Sequence, residues 1–280
     1  MNTGSFLGLG PHGFHRIAYA EWGGDKAGRT LLCAHGLTRN GRDFDRLAAA
    51  LGDGWRVVCP DLPGRGRSDW LPQAADYTYP QYVADMTALI ARMGVAELDW
   101  LGTSMGGLIG LMLAAQPNTP IRRLVLNDIG PFVPKAALER IAGYVGRDPR
   151  FASLGELEAY LREVHAPFGP LGDSDWRHMA LQSYRRREDG GFGLAYDPAI
   201  GAAFHQDEPL ADVDLWAAWD AVRCPVLVLR GAESDLLLPD TAERLRGDGA
   251  TVVEFPGVGH APALMAADQI AVVREWLAAG

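Results

Sequence analysis

The stretch from Leu98 to Gly107, LDWLGTSMGG, decides how this chain of 280 residues folds. An apolar, strand-like run leads into the pattern Gly102-x-Ser104-x-Gly106, and a helix-compatible stretch follows it. A serine held at a strained turn between strand and helix needs small residues two positions away on each side, because the two elements approach each other closely there. The spacing therefore predicts a nucleophilic serine at a strand tip, with the N–H groups of a helix N-terminus behind it.

Short apolar runs alternate with helix-length segments along most of the chain. The inner runs are continuously apolar, as in Val-Leu-Val-Leu at 226–229, which is typical of strands covered by helices on both faces. The alternation predicts an α/β fold around a largely parallel sheet. The predicted strands are 16–22, 30–34, 56–59, 98–102, 123–127, 226–230 and 251–255, and the predicted helices beside them are 42–52, 79–93, 105–116, 240–246 and 267–279.

The segment 131–211 interrupts this alternation. It is aromatic, charged and helix-prone, and its predicted helices are 136–144, 154–164 and 173–186. About eighty residues without strand periodicity between two sheet strands predict a helical cap, or lid, inserted into a core domain made of 1–130 and 212–280. The charged run 185–189 is expected to be a solvent-facing helix end or loop.

Composition and charge narrow the class of partner and the compartment. Asp and Glu outnumber Lys and Arg by 35 to 26, a net charge of −9, which argues against a nucleic acid. The three cysteines lie at or beside apolar runs and are expected to be buried thiols in a reducing compartment. Neither a secretory signal nor a run of about 18 apolar residues is visible. We therefore expect a cytoplasmic protein with no membrane partner.

A serine hydroxyl needs a base and an orienting carboxylate, which on such a fold follow in the chain order serine, acid, histidine. His260 lies after the last predicted strand, in a loop with glycines that allow the chain to return to the sheet edge. It is the predicted base. For the other histidines we expect structural roles ahead of substrate contact; they are His12, His15, His35, His165, His178 and His205.

The predicted acid is Asp235, which stands in the loop after the strand 226–230. Its neighbour Glu233 is a weaker candidate. Asp128, at the end of the strand 123–127, is the more serious rival, because another strand tip can also reach the histidine. If it does not, Asp128 is expected to cap a loop or anchor the lid.

A site for negative charge is predicted where the strand 30–34 stops at His35-Gly36. Gly36 allows a backbone turn that directs the N–H of Leu37 at the reaction centre. With the N–H of Met105, this group would form an oxyanion hole for a tetrahedral intermediate. Both donors are backbone groups, so this role does not constrain the two side chains.

With these motifs in this order, the chain resembles the α/β-hydrolase superfamily along nearly its whole length, and bacterial carboxylesterase-like hydrolases in its Gly-Thr-Ser-Met-Gly-Gly. The run 60–69, PDLPGRGRSD, looks like the loop after the fourth strand of lidded members, and Cys224-Pro225 matches their approach to the acid strand. The resemblance implies an eight-stranded, mostly parallel sheet and a helical cap inserted after strand six.

The expected activity is hydrolysis of small carboxylic esters through an acyl-enzyme, without metal or cofactor. A serine at position 104 sets aside relatives with carboxylate or cysteine nucleophiles. Carbon–carbon bond hydrolases, lactonases and acyltransferases stay open, and so does a non-catalytic small-molecule-binding protein. We expect a monomer or small homo-oligomer. The candidate pocket residues, for each of which core packing is an equal alternative, are Trp70, Phe132, Tyr144, Tyr196, Trp216 and Trp219.

Overall fold

The structure is a computed structural model that describes residues 1–24, 27–205 and 209–279. Residues 25–26, 206–208 and 280, which fall within the predicted core and cap ranges, lie outside this description. The main sheet has eight strands in the described residues. In chain order they are β1 (Asn2–Gly10), β2 (Gly13–Trp22), β3 (Arg29–Ala34), β4 (Trp55–Pro60), β5 (Leu98–Thr103), β6 (Ile121–Asn127), β7 (Val226–Gly231) and β8 (Thr251–Phe255).

The spatial order of the strands is β1-β2-β4-β3-β5-β6-β7-β8. The pairings of β2 with β1 and with β4 are antiparallel, and those from β4 to β8 are parallel. The predicted eight-stranded, mostly parallel α/β-hydrolase sheet is therefore confirmed. The sequence prediction missed β1, whose three glycines and polar residues lack an apolar run, and which is held by its hairpin pairing with β2.

Helices cover both faces of the sheet. Alternate strand residues enter separate apolar clusters: Leu31 lies in a cluster with helices α1 (Asp45–Leu51) and α9 (Ala267–Ala278), whereas Leu32 lies in the other with α2 (Tyr79–Met93), α3 (Met105–Ala114) and α8 (Pro239–Gly247). This two-sided burial explains why the inner strands are continuously apolar. The helices are α1 (Asp45–Leu51), α2 (Tyr79–Met93), α3 (Met105–Ala114), α4 (Lys135–Ala142), α5 (Leu154–Val164), α6 (Asp173–Gln182), α7 (Trp216–Trp219), α8 (Pro239–Gly247) and α9 (Ala267–Ala278).

The segment between β6 and β7 carries α4 to α7 and two small antiparallel ribbons. Tyr184–Arg186 pairs with Phe192–Leu194 in one of them, so the predicted helix 173–186 ends early, at Gln182. The ring of Tyr184 packs edge-on against Phe192, which favours the ribbon over a longer helix. No helix in the described ranges is long and apolar enough to cross a membrane.

Candidate active site

Ser104 lies between the last residue of β5 and the first residue of α3, as the motif predicts. Its φ of 51° is in the left-handed region, which is strained for a residue with a Cβ. A Cβ on Gly102 would lie 2.2 Å from the carbonyl oxygen of Gly106, and one on Gly106 would lie 2.1 Å from that of Ala34. Only glycine fits at either position, because strand and helix touch there.

Ser104, His260 and Asp128 form one chain of hydrogen bonds. The Ser104 Oγ lies 2.9 Å from Nε2 of His260, and the Nδ1 of His260 lies 2.7 Å from Oδ2 of Asp128. A carboxylate only accepts, so Nδ1 carries the ring proton and Nε2 is left to accept the proton of the hydroxyl. The arrangement therefore suits proton transfer from the serine to the imidazole.

Asp128 is fully buried, and its carboxylate is held from several sides. The N–H of Gly231 donates to Oδ1 over 2.8 Å, and the hydroxyl of Ser234 donates to Oδ2 over 2.6 Å. With the imidazole, three donors surround the carboxylate, which compensates for its removal from water. Asp128 itself has a φ of 52°, so the backbone turns sharply where β6 ends.

The prediction that Asp235 orients His260 is wrong. The Asp235 side chain is 48% exposed and forms a bidentate ion pair with Arg140 of α4. Its loop instead contributes Ser234, whose Oγ also accepts from the N–H groups of Leu236 and Leu237. The loop after β7 is therefore part of the acid site, but it supplies hydrogen-bond donors and Asp128 supplies the charge.

The loop carrying His260 is fixed against the strand tips. A Cβ on Gly231 would lie 2.1 Å from the carbonyl oxygen of Gly259, so a glycine lets β7 and the histidine loop meet. The Nδ2 of Asn127 donates to the carbonyl oxygen of Pro262 over 2.8 Å and to Oγ1 of Thr103 over 3.0 Å. Asn127 thereby ties the histidine loop to the residue before the serine.

The two predicted oxyanion donors belong to segments that adjoin Ser104. The Cβ position of Gly36, the residue before Leu37, is 3.7 Å from Cβ of Ser104. Met105 is the first residue of α3, so its N–H has no carbonyl one turn earlier in the helix. Both segments therefore lie beside Ser104, and the joint role of the two N–H groups as an oxyanion hole stays a prediction.

Arg65, which the sequence analysis did not single out, contacts both of these segments through its guanidinium. Its guanidinium is fully buried and donates to the carbonyl oxygen of Leu37 over 2.8 Å and to Sδ of Met105 over 3.6 Å. It also bonds the carbonyl oxygen of Pro63 and the hydroxyl of Tyr82. Within the described part of the chain, no carboxylate pairs with it; its charge is held by these acceptors and by the rings of Tyr77 and Tyr82.

His35 is structural, as expected. Its Nε2 accepts the N–H of Leu62 over 2.9 Å, and Nδ1 lies 2.7 Å from the carbonyl oxygen of Gly36. Burial, the largest effect, lowers the pKa of His35 to about 3. The neutral ring therefore holds the turn before Leu37 to the loop after β4.

The predicted pocket residues do not line one common pocket. Tyr144 and Tyr196 line a small cavity between the β6–β7 segment and the loop after β3. Trp216 and Trp219 instead contact the α8 region, where Arg244 stacks on the ring of Trp216. The indole of Trp70 is exposed beneath Arg185, and Phe132 lies in a ribbon opposite Asp214.

Residues 31–273 match the model of the alpha/beta hydrolase family. This match spans most of the chain, and the fold and strand order agree with it. The chain belongs to the alpha/beta hydrolase family.

Relatives of known name and structure support a hydrolase. The chain is 47% identical over 277 residues to a 3-hydroxybutyrate-oligomer hydrolase of Cupriavidus necator, covering 96% of this chain and 94% of the relative. It is 29% identical over 239 residues to a 2-(acetamidomethylene)succinate hydrolase of Mesorhizobium japonicum, covering 84% and 82%. A crystal structure of an alpha/beta hydrolase from Novosphingobium aromaticivorans superposes with a TM-score of 0.87 at 35% identity, covering 99% and 98%.

Proposed function

We propose that this protein is a serine hydrolase of carboxylic esters that works through an acyl-enzyme. In the first half-reaction, the Ser104 Oγ attacks the ester carbonyl carbon while its proton passes to Nε2 of His260. The tetrahedral intermediate collapses, the bond to the alkoxy oxygen breaks, and that oxygen takes the proton from Nε2. The products are an alcohol and an ester of Ser104.

The second half-reaction repeats these steps with water. Water attacks the acyl carbonyl and gives a proton to Nε2 of His260, and collapse then releases the carboxylic acid and returns the proton to Ser104. Asp128 keeps the imidazole in the required tautomer and stabilises the imidazolium that forms at each step. The N–H groups of Leu37 and Met105 bind the oxyanion in both half-reactions.

The observation that carries the proposal is the hydrogen-bonded chain from Ser104 through His260 to Asp128. The similarity to a 3-hydroxybutyrate-oligomer hydrolase supports esters of short hydroxy acids as the substrate class. In this proposal the residues between β6 and β7 form a cap that limits access of water and long chains.

A panel of p-nitrophenyl esters and short 3-hydroxybutyrate oligomers tests the activity, with a vinylogous diketone as the carbon–carbon bond substrate. We expect turnover of the esters and oligomers, and none of the diketone. A fluorophosphonate probe should label the wild type but not Ser104→Ala. Diketone cleavage without ester hydrolysis would reject the proposal. Binding of the esters and oligomers without any turnover would also reject it.

A further inference from the structure

The small cavity between the β6–β7 segment and the loop after β3 contains hydrogen-bond groups that the mechanism does not use. It is narrow, about 20 Å³, which is room for about one water-sized group. His165, Thr38 and Tyr160 are among the residues that line it. In the described residues, no polar partner bonds the imidazole of His165 or the hydroxyls of Thr38 and Tyr160.

The position of His165 is set by direct packing on the histidine loop. The turn that follows α5 places the carbonyl oxygen of Pro167 2.7 Å from the N–H of Gly259, the residue before His260. In the same turn, the ring of Phe168 stacks on that of His165 with centroids 4.6 Å apart. The turn that begins at His165 is therefore fixed to the loop that carries His260.

Thr38 brings the cavity to the oxyanion segment from the other side, because it directly follows Leu37. In the proposed mechanism the N–H of Leu37 binds the carbonyl oxygen of the substrate, so Thr38 is one residue away from that donor. The cavity therefore adjoins the place that the proposed mechanism gives to the acyl group.

His165 is only 8% exposed, and burial lowers its pKa well below the usual value, with electrostatic interactions with Arg39 and His260 acting in the same direction. The ring is therefore neutral near pH 7 and offers one donor and one acceptor. A buried group of this kind gains most from a partner that also donates and accepts.

We propose that this cavity is a subsite for the hydroxyl group of a short hydroxyacyl chain, bound by His165 and Thr38 with Tyr160 at its edge. The inference rests on the proposed ester hydrolysis at Ser104. A hydroxyl both donates and accepts, and it is about the size of the one water-sized group for which the cavity has room. An unsubstituted alkyl chain would leave these polar groups without partners, which disfavours it.

Two esters of equal chain length test the subsite: p-nitrophenyl 3-hydroxybutyrate and p-nitrophenyl butyrate. We expect the wild type to have the higher kcat/KM for the hydroxylated ester. Thr38→Val and His165→Leu should each lower the ratio of the two kcat/KM values by about tenfold, the usual worth of one net hydrogen bond. Thr38→Val preserves side-chain size, so it tests the subsite even if His165→Leu fails to fold.

Tyr160→Phe should lower the ratio by a smaller factor, and Tyr184→Phe is the matched control. Tyr184 lies in the same β6–β7 segment but outside this cavity, so its variant should keep the wild-type ratio. An unchanged ratio in Thr38→Val and Tyr160→Phe, with active enzyme, would overturn the subsite and leave ester hydrolysis standing. Absence of turnover of any ester by the wild type would instead reject the proposed function, and the subsite with it.

Discussion

Asp128 and Asp235 follow neighbouring parallel strands, β6 and β7, at the same edge of the sheet, yet only one of them reaches His260. Asp128 is fully buried and takes three hydrogen bonds, whereas Asp235 is half-exposed and pairs with Arg140. A position at a strand end near the histidine loop is therefore not sufficient for a carboxylate to orient His260. Asp128 takes this role, because Gly231 and Ser234 donate hydrogen bonds to its buried carboxylate.

The two environments have different energetic consequences. A buried carboxylate that loses its donors is strongly destabilised, because nothing replaces the water it has given up. The pair between Asp235 and Arg140 is exposed on both sides, so its contribution to stability is about 0–1 kcal/mol and is screened by salt. Substitutions at the two positions should therefore separate by orders of magnitude in activity.

The largest effect is expected for Asp128→Asn. An amide NH₂ facing Nδ1 forces the ring proton onto Nε2, which can then no longer accept the proton of Ser104. We expect kcat for ester hydrolysis to fall by about 10³–10⁴-fold with little change in KM. Steady-state kinetics checks this, with circular dichroism to confirm folding. A loss of kcat smaller than tenfold in a folded variant would contradict the role of Asp128 as the residue that orients His260.

The second-largest effect is expected for the buried cation Arg65. Arg65→Met removes the donors that hold the carbonyl oxygen of Leu37, so the oxyanion donors should lose alignment. We expect kcat to fall by about 10- to 100-fold and KM to change by less than about twofold, since the developing charge is affected more than the bound substrate.

Arg65→Lys retains the charge with fewer directed donors and should recover part of this loss. Thermal unfolding of both variants separates stability from turnover. If Arg65→Met is less stable but keeps wild-type kcat, Arg65 has a structural role alone.

Ser234→Ala tests whether the loop of Asp235 supports the carboxylate of Asp128. It removes one of the donors to the carboxylate of Asp128, and we expect kcat/KM to fall by about tenfold. Ser153→Ala is the matched control, because its hydroxyl caps α5 away from the site and should change stability only. Equal kinetics for the two variants would argue that Ser234 does not support Asp128.

The smallest effect is expected for Asp235→Asn. The loss of an exposed ion pair should change kcat/KM by less than about twofold and the free energy of unfolding by at most about 1 kcal/mol. Kinetics and urea denaturation measure both quantities. A thousandfold loss of activity here would restore Asp235 as the acid and reverse the comparison.

The sequence predicted the parts of the site that depend on local geometry. The elbow at Ser104 has a spacing imposed by strand–helix contact, and the loop of His260 follows the last strand. The choice of acid depends on side-chain direction at two adjacent strand tips, which is set by Arg140 and by the donors Gly231 and Ser234. These contacts join distant segments, so no local pattern could reveal them.

A similar reason explains why Arg65 was not singled out and why a structural role was favoured for His165. Arg65 stands in a loop of alternating glycine and arginine, where charge patterning suggests a solvated surface, yet its side chain turns inward toward the oxyanion segments. His165 follows α5, and the turn that begins there meets the loop of His260 where the carbonyl oxygen of Pro167 accepts from the N–H of Gly259. In both cases a polar residue stands in a loop next to a predicted motif or helix. The sequence alone does not show whether its side chain points to solvent or into the protein.

A crystal structure of the enzyme inactivated by a small phosphonate tests the central claim most directly. We expect phosphorus bonded to the Ser104 Oγ, a phosphoryl oxygen within hydrogen-bond distance of the N–H groups of Leu37 and Met105, and the Asp128 carboxylate against Nδ1 of His260. A structure in which Asp235 has left Arg140 and occupies that place at Nδ1 would contradict it.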